Sequence, residues 1–222
     1  MLAGEIIVVT GGAGVLGEAV ARCAKAHGAE VVLLDVVTDF SSPLGRTFTV
    51  DLTDQAAVDN CFAAIGGFTG VANIAGGFDM GPTLYETSDE LWDGLFEINV
   101  KTLRRVLSAA TPRLIEQGTG RIVNVGAYGA LQGAANMAAY TAAKSTVMRL
   151  TEALSAEVRN SGVNVNAVLP SLIDTPRNRT DMPDADHSKW VAPDDLAEVV
   201  CFLLSPDARA VHGALLPVVG LV

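Results

Sequence analysis

The N-terminal stretch up to Gly28 contains the pattern that most restricts the fold. Residues 5–10 form a short apolar, β-branched run that is typical of a strand buried on both faces. A turn with Gly11, Gly14 and Gly17 follows, and a helical pattern then runs over residues 18–27. Strand, glycine turn and helix in this order predict a phosphate site, because glycines let the backbone approach a pyrophosphate and the helix N-terminus receives its charge. An ordinary tight turn is the alternative.

The second apolar run, residues 30–35, ends in a carboxylate. Asp35 stands 18 residues after Gly17. An acid at this position accepts hydrogen bonds from the hydroxyls of an adenosine ribose and repels a 2′-phosphate. Its neighbours are Leu34 and Val36, so no Arg or Lys lies beside it in the sequence. The pattern favours NAD(H) over NADP(H); a carboxylate that only caps a loop is the alternative.

The rest of the chain alternates between the two periodicities. Further strands are expected at residues 46–50, 70–73, 120–126, 163–169 and 213–219. Helices are expected at residues 53–65, 89–117, 137–160 and 193–205, with Thr53 and Ser88 as N-caps and an irregular stretch at 170–192. This alternation predicts one α/β domain over residues 1–222, a doubly wound parallel sheet with helices on both faces. Ligands of such sheets bind at the carboxyl ends of the strands.

Tyr140 and Lys144 lie four residues apart in an Ala-rich segment without Pro or Gly. Helix is favoured there, and the spacing puts both side chains on one face. A phenol is a poor proton donor at neutral pH, but a nearby ammonium favours the phenolate and lowers the phenol's pKa. The pair is therefore a candidate general acid/base, although such spacings also arise by chance on helices.

Composition excludes several partner classes. The formal net charge is −10 and the basic residues are dispersed, which argues against binding to nucleic acid or to an anionic membrane. No apolar run reaches the length of a membrane span, and no basic segment precedes the first strand as in a secretory signal. Cys23, Cys61 and Cys201 are widely spaced in apolar surroundings, so we expect buried free thiols, no metal site and a cytoplasmic location.

Seven landmarks in order make the chain resemble the short-chain dehydrogenase/reductase family over nearly its whole length. They are Thr10-Gly11…Gly17, Asp35, Asp51-Leu52, Asn73-Ile-Ala-Gly76, Asn99, Tyr140 with Lys144, and Pro170…Ile173-Asp-Thr175. The resemblance implies a Rossmann-type sheet, a catalytic Tyr140, a Lys144 that lowers its pKa and holds the nicotinamide ribose, and an Asn99 that positions a water in a proton relay. The cofactor contacts that it implies are Gly11, Gly14, Val15, Leu16, Gly17, Asp35, Asp51, Leu52, Asn73, Ala75, Gly76, Tyr140, Lys144, Pro170, Ile173 and Thr175.

Two positions depart from the family pattern. The family's catalytic Ser, thirteen residues before the Tyr, is Ala127 here, and Val15 stands where the glycine turn usually has Gly. Both departures are found in the dihydropteridine reductase branch, which the run from Asp174 to Trp190 also resembles; Asn99 instead follows the main family.

The implied function is an NADH-dependent reductase that delivers hydride to a quinonoid pterin or a similar C=N substrate and a proton from Tyr140. The candidate substrate residues are Phe78, Ala127, Tyr128, Met137, Met182 and Trp190, and core or lid packing is the alternative for each apolar one.

Two other functions stay open. One is a carbonyl or alcohol oxidoreductase that works without the Ser, with a water or Tyr128 in its place. The other is a sensor or scaffold that binds NADH without turnover, against which the joint presence of Tyr140, Lys144 and Asn99 argues. The only partners expected are a small-molecule substrate and further copies of the chain. The long helices at residues 89–117 and 137–160 pair across a two-fold axis in relatives, so a homodimer or homotetramer is expected.

Overall fold

The strands of the computed structural model, which describes residues 1–222, all run parallel in one seven-stranded sheet. They are β1 (Ile6–Thr10), β2 (Glu30–Asp35), β3 (Arg46–Thr49), β4 (Gly70–Asn73), β5 (Gly120–Val125), β6 (Val163–Pro170) and β7 (Leu215–Val218). Their spatial order is β3-β2-β1-β4-β5-β6-β7. In the central register Val8 pairs with Val32 on one side and with Val71 on the other. The predicted parallel sheet is confirmed.

Helices cover both faces of the sheet. They are α1 (Val15–Ala26), α2 (Gln55–Ile65), α3 (Asp89–Phe96), α4 (Thr102–Gln117), α5 (Ala138–Val158), α6 (Pro176–Asp181) and α7 (Pro193–Leu204). Val9 faces a core of 22 buried residues that includes α1 and α7, whereas Val8 faces a core of 21 that includes α2, α4 and α5. Adjacent strand residues thus enter opposite cores, as the period of two requires.

The strand order reverses at β1 and β4. The chain leaves β1 toward β2 and β3, and from β4 it proceeds toward β7, so the connections after β1 and β4 diverge. Such a switch point leaves a crevice at the carboxyl ends of the strands. Thr10, Asp35, Asn73, Val125 and Pro170 are the last residues of five of these strands and therefore share that edge.

Three details differ from the sequence expectation. Asp54, not Thr53, caps α2, because its side chain accepts from the N–H groups of Ala56 and Ala57 while the Thr53 hydroxyl donates to Asp51. The helix predicted over residues 89–117 is capped by Ser88 as expected but is interrupted by a π-helical turn, Glu97–Lys101. The stretch predicted to be irregular contains α6, whose N-terminus is capped by the Thr175 hydroxyl.

No helix of the chain combines the length and the apolar character that a membrane crossing requires.

Candidate active site

The turn between β1 and α1 is shaped by glycines at two close contacts. Gly11 has φ +68°, a conformation that side chains disfavour, and an added Cβ would approach the Ala75 backbone nitrogen to 3.0 Å. At Gly17 an added Cβ would lie 2.0 Å from the Gly11 carbonyl oxygen, so only glycine fits. Gly14 is the N-cap of α1, and no side chain caps that helix N-terminus. The N–H groups of the turn are bonded within the chain, so the uncapped first turn of α1 is the part that offers backbone N–H groups to an anion. Val15 is largely exposed at the same place, and Leu16 packs on the core beneath it.

Asp35 connects the end of β2 to this turn. One carboxylate oxygen accepts from the Ala13 N–H at 2.9 Å, and the other accepts from the Val37 N–H at 3.1 Å. The side chains of Val36 and Val37, which follow it, are exposed. The acidic group predicted to meet a ribose thus lies beside the glycine turn.

The turn after β4 is held by side chains of neighbouring strands. The Thr10 hydroxyl accepts from the N–H groups of Ile74 and Ala75, which fixes the turn that leads into Gly76. The Asn73 amide donates to Asn124 at 2.9 Å, and Asn124 donates in turn to Thr151. The remaining oxygen of Asn73, Oδ1, is buried without a hydrogen-bond partner in the chain.

Asp51 and Leu52 follow β3 and lie differently. Asp51 is exposed and accepts from both the N–H and the hydroxyl of Thr53, and these hydrogen bonds hold its pKa below the usual range. Leu52 is buried and lines a cavity of about 10 Å³, room for one water molecule, together with Thr10, Asn73, Asn99 and Lys144. The unpaired Asn73 oxygen fits a buried water there.

Asn99 lies in the middle of the π-helical turn. Its Oδ1 accepts from the Gly77 N–H at 3.1 Å, and its Nδ2 donates to the carbonyls of Gly77 and Leu95, both at 3.0 Å. Single π turns inside α-helices frequently occur at functional sites. At this turn the Asn99 amide binds the loop after β4 at Gly77 and the preceding helix at Leu95. The family pattern marks Asn99 but does not reveal the turn.

Gly76 marks the point where Asn99 and Lys144 meet. An added Cβ there would lie 2.8 Å from Asn99 Oδ1 and 3.3 Å from Lys144 Nζ. The structure therefore brings together Gly76, Asn99 and Lys144, of which the first and the last are 68 positions apart in the chain (76 to 144). A side chain at residue 76 would crowd the polar atoms of Asn99 and Lys144.

Lys144 is fully enclosed on α5. Its ammonium donates to the carbonyl of Val125 at the end of β5, with an Nζ–O distance of 2.9 Å. Burial lowers the pKa of Lys144 to about 8, because the charged form is disfavoured away from water.

The pKa of Tyr140, which lies one turn before Lys144, differs from the sequence prediction. Burial raises the pKa of Tyr140 to about 12, whereas a lowered pKa was predicted from the neighbouring ammonium. Because the Lys144 ammonium is directed to the Val125 carbonyl, desolvation decides the direction for the phenol. In this structure Tyr140 is a protonated phenol at neutral pH, which is the form of a proton donor.

The surface beside Tyr140 is apolar. The ring of Phe78 stands edge-on to that of Tyr140, with centroids 4.8 Å apart. Ala127 is buried in a small cluster with Ala130, Met148 and Leu169, against which Tyr140 packs. Tyr128 is 44 % exposed, and Met137 is half-buried at the N-cap of α5.

The segment after β6 has its own internal bonds. Pro170 ends the strand, Ile173 bridges to Val191, and Thr175 caps α6. Trp190 is 8 % exposed and packs on the His187 ring at a centroid distance of 4.4 Å, so it serves packing rather than forming an open wall. His187 also donates from Nε2 to the Met182 carbonyl, which ties the half-buried Met182 to the same unit. Nothing in the sequence pattern marked His187.

The comparisons with known proteins agree on one family. Residues 11–220 match a family model described as "Enoyl-(Acyl carrier protein) reductase". A 2-(S)-hydroxypropyl-CoM dehydrogenase 3 of Xanthobacter autotrophicus is 31 % identical over 247 aligned residues, which cover 99 % of this chain and 96 % of the relative. The chain belongs to the short-chain dehydrogenase/reductase family.

Solved structures of similar proteins show the same architecture. One described as a "short chain dehydrogenase/reductase family protein" has a TM-score of 0.91 at 29 % identity and covers 99 % of this chain, which covers 97 % of it. An NAD⁺-bound xylitol dehydrogenase has a TM-score of 0.91 at 22 % identity, with 99 % of both chains covered, and supports the fold alone. Short-chain dehydrogenase/reductases are oxidoreductases that use a nicotinamide dinucleotide. The uncapped α1 N-terminus and the strand-end Asp35 fit such a group.

Proposed function

We propose that the chain is an NADH-dependent reductase whose hydride acceptor is a flat, conjugated C=N system such as a quinonoid dihydropterin. The observation that carries the proposal is the apolar surface beside Tyr140, where the Phe78 ring contacts the phenol and Ala127 stands at the position of the family's hydroxyl donor. A reaction that develops an oxyanion loses about 10²–10³ in rate when such a donor is missing. An imine that accepts hydride at carbon and a proton at nitrogen has less need of it.

In this proposal the bound dinucleotide supplies the hydride. Tyr140 donates the phenolic proton to a ring nitrogen of the substrate, and its raised pKa keeps that proton in place until the acceptor's basicity increases. The Lys144 ammonium, held on the Val125 carbonyl, stabilises the phenolate that remains. Asn99 holds the loop that carries Phe78 through its bonds to Gly77.

The preference for NADH over NADPH rests on Asp35 and on the absence of a cation near it. A 2′-phosphate beside the Asp35 carboxylate would meet like charge. Val36 and Val37 provide no positive group, and Arg46 on the adjacent strand pairs with Glu30 at the opposite end of β2, at 3.2 Å.

A carbonyl or alcohol oxidoreductase is the second candidate. The 31 % identical relative is named as a dehydrogenase of a hydroxypropyl compound, which is an alcohol. Tyr128 follows Ala127 directly and is 44 % exposed, so its hydroxyl is a group that would replace the missing Ser.

A paired substrate assay tests the proposal. Purified protein is assayed anaerobically for NADH oxidation with a quinonoid dihydropterin and, separately, with simple ketones, both for the natural chain and for Ala127→Ser. We expect turnover of the pterin, little effect of the substitution on it, and ketone turnover that is slower by orders of magnitude. Ketone reduction that exceeds pterin reduction, and that Ala127→Ser raises by orders of magnitude, would establish the second candidate instead.

The assembly proposed is a homodimer or homotetramer in the cytoplasm. Besides the long helices α4 and α5, the groove next to the start of α5 is lined by apolar side chains that are largely exposed in the single chain, among them Leu84, Tyr85 and Leu131. Contiguous exposed apolar surface marks interaction sites, whereas apolar residues exposed singly are ordinary on a protein surface. Light scattering checks the proposal, and a species of only 23.0 kDa would contradict it.

A further inference from the structure

A mixed cluster of thiol, imidazole and carboxylate lies between the first and the last long helices, away from the glycine turn. Cys23 and His27 are one helical turn apart at the C-terminal end of α1, and Glu198 faces them from α7. One potential ligand atom from each of the three lies within 4.8 Å of the other two. None of the three takes part in the site described above.

The three groups already contact one another. His27 Nε2 lies 2.9 Å from a Glu198 carboxylate oxygen. The side chains of His27 and Glu198 are 30 % and 60 % exposed, whereas Cys23 is buried at the base. The cluster is thus closed on the protein side and open to solvent on the other.

We propose that Cys23, His27 and Glu198 bind a divalent transition-metal ion of the zinc type. Zinc takes thiolate, imidazole and carboxylate ligands at about 2.0–2.3 Å, and tetrahedral geometry then separates the ligand atoms by roughly 3.3–3.8 Å. In this cluster the three ligand atoms lie within 4.8 Å of one another, and the His27 and Glu198 atoms are 2.9 Å apart. Binding releases the Cys23 thiol proton to solvent. The Nε2 proton of His27, which forms the hydrogen bond to Glu198, moves to solvent while Nδ1 holds the ring's remaining proton, and two metal bonds replace that hydrogen bond. The fourth position faces water.

Cys201 lies behind Cys23 and is left out of the ligand set. It is fully buried, and its thiol is directed toward the Val20 carbonyl at 3.9 Å. It therefore packs at the base of the cluster and is not one of the three residues whose potential ligand atoms lie together.

The bound ion would join α1 to α7. The two helices pack together on one face of the sheet, and Cys23 and Glu198 are 175 positions apart (23 to 198). Because the ligand arrangement does not exist in the unfolded chain, binding stabilises the folded state. The glycine turn lies at the other end of α1, so occupation of the cluster leaves the dinucleotide site accessible.

Cobalt(II) titration of the full-length, chelator-treated protein under reducing conditions tests the proposal. We expect a thiolate-to-cobalt charge-transfer band in the near ultraviolet that saturates at one ion per chain and is displaced by zinc. Cys23→Ser should abolish the band, and His27→Gln should weaken zinc affinity by at least about tenfold. Cys61→Ser is the matched control, because Cys61 is also a buried helical thiol but lies in the opposite core, and it should keep the band.

A thermal measurement keeps the outcome independent of enzyme activity. Zinc should raise the unfolding temperature of the natural chain and of Cys61→Ser but not of Cys23→Ser or His27→Gln. If Cys23→Ser does not fold, the comparison is made with His27→Gln alone. The His27 side chain is partly exposed, so this substitution should leave the fold intact. The proposal is overturned by the absence of a charge-transfer band, or by a band and a zinc-induced stabilisation that His27→Gln leaves unchanged.

Discussion

The ring of Phe78 meets the ring of Tyr140 edge-on, with centroids 4.8 Å apart and planes at 81°. Phe78 belongs to the loop after β4, and Tyr140 lies on α5, so this contact joins the two segments that border the proposed reaction site. Phe78 nevertheless remains 43 % exposed. An aromatic ring that is both fixed by a neighbour and open to solvent offers a surface for a flat substrate.

Phe78→Leu should reduce kcat/KM for a flat aromatic acceptor by about 3–10-fold, because an aromatic contact contributes about 0.5–1.5 kcal/mol beyond its buried area. Its effect on the affinity for NADH should be small, since Phe78 lies outside the glycine turn. Steady-state kinetics with pterin and fluorescence titration with NADH measure the two quantities. An equal loss with a small aliphatic acceptor would show that Phe78 supports Tyr140 rather than the substrate.

The pH dependence of reduction should follow Lys144. Its pKa of about 8 means that the ammonium is present below that pH and is lost above it, while Tyr140, with a pKa of about 12, keeps its proton throughout. The kcat/KM for reduction should therefore fall as the pH rises through about 8, because the phenolate formed by proton transfer loses its cation. Tyr140→Phe should lower the rate by about 10²–10⁴ at every pH. A profile that is flat from pH 6 to about 10 would contradict this assignment.

Lys144→Met should stabilise the chain while it abolishes reduction. Burial lowers the pKa of Lys144 from 10.5 to about 8, so the unfolded state binds more protons between these values and stability rises with pH there. Below pH 8 the full cost of the buried charge is present, and its removal should raise the free energy of unfolding by on the order of 1–3 kcal/mol. The gain should shrink between pH 8 and 10.5, as denaturant unfolding at several pH values would show.

Lys101→Met provides the matched control for that measurement. Lys101 is 53 % exposed and pairs with Glu97 within one helical turn, so its removal should change stability only slightly at any pH. If Lys144→Met gave a gain that did not vary with pH, the cause would be packing rather than charge.

The sequence could predict the sheet because alternation of strand and helix patterns leaves few topologies, and because Gly17 and Asp35 have positions that the chemistry of a dinucleotide explains. It could not predict the π turn at Asn99, since an extra residue in a helical turn leaves no distinct composition. The prediction that the pKa of Tyr140 is lowered is wrong for a physical reason. Sequence spacing shows that a charge is near the phenol, but it does not show the desolvation that opposes the effect of that charge. It also does not show that the Lys144 ammonium donates its hydrogen bond to the Val125 carbonyl.

Gly17→Ala should damage the dinucleotide site and the fold together. The new methyl group would lie 2.0 Å from the Gly11 carbonyl oxygen, and the turn or α1 would have to shift. We expect a loss of about 1–3 kcal/mol in the free energy of unfolding and a large rise in the Kd for NADH. Gly94→Ala on α3 is the control, because nothing lies within 4 Å of its added Cβ, and it should leave stability equal or slightly higher. Unchanged NADH affinity in Gly17→Ala would show that the dinucleotide binds elsewhere.

The choice between NADH and NADPH should depend on the charge at the end of β2. In the double substitution Asp35→Ser with Val36→Arg, the carboxylate that repels a 2′-phosphate is removed and a cation is placed next to it. Because Asp35 also accepts from the Ala13 N–H, the shorter Ser side chain loosens the turn, and the affinity for NADH should fall as that for NADPH rises. Asp35→Asn separates these effects, since it removes the charge and keeps one oxygen that accepts from the Ala13 N–H, while only the bond from the exposed Val37 N–H is lost. Its Kd for NADPH should decrease while its unfolding temperature stays near that of the natural chain. If Asp35→Asn and the double substitution both left the ratio of the two Kd values unchanged, the 2′ position would not be read at Asp35.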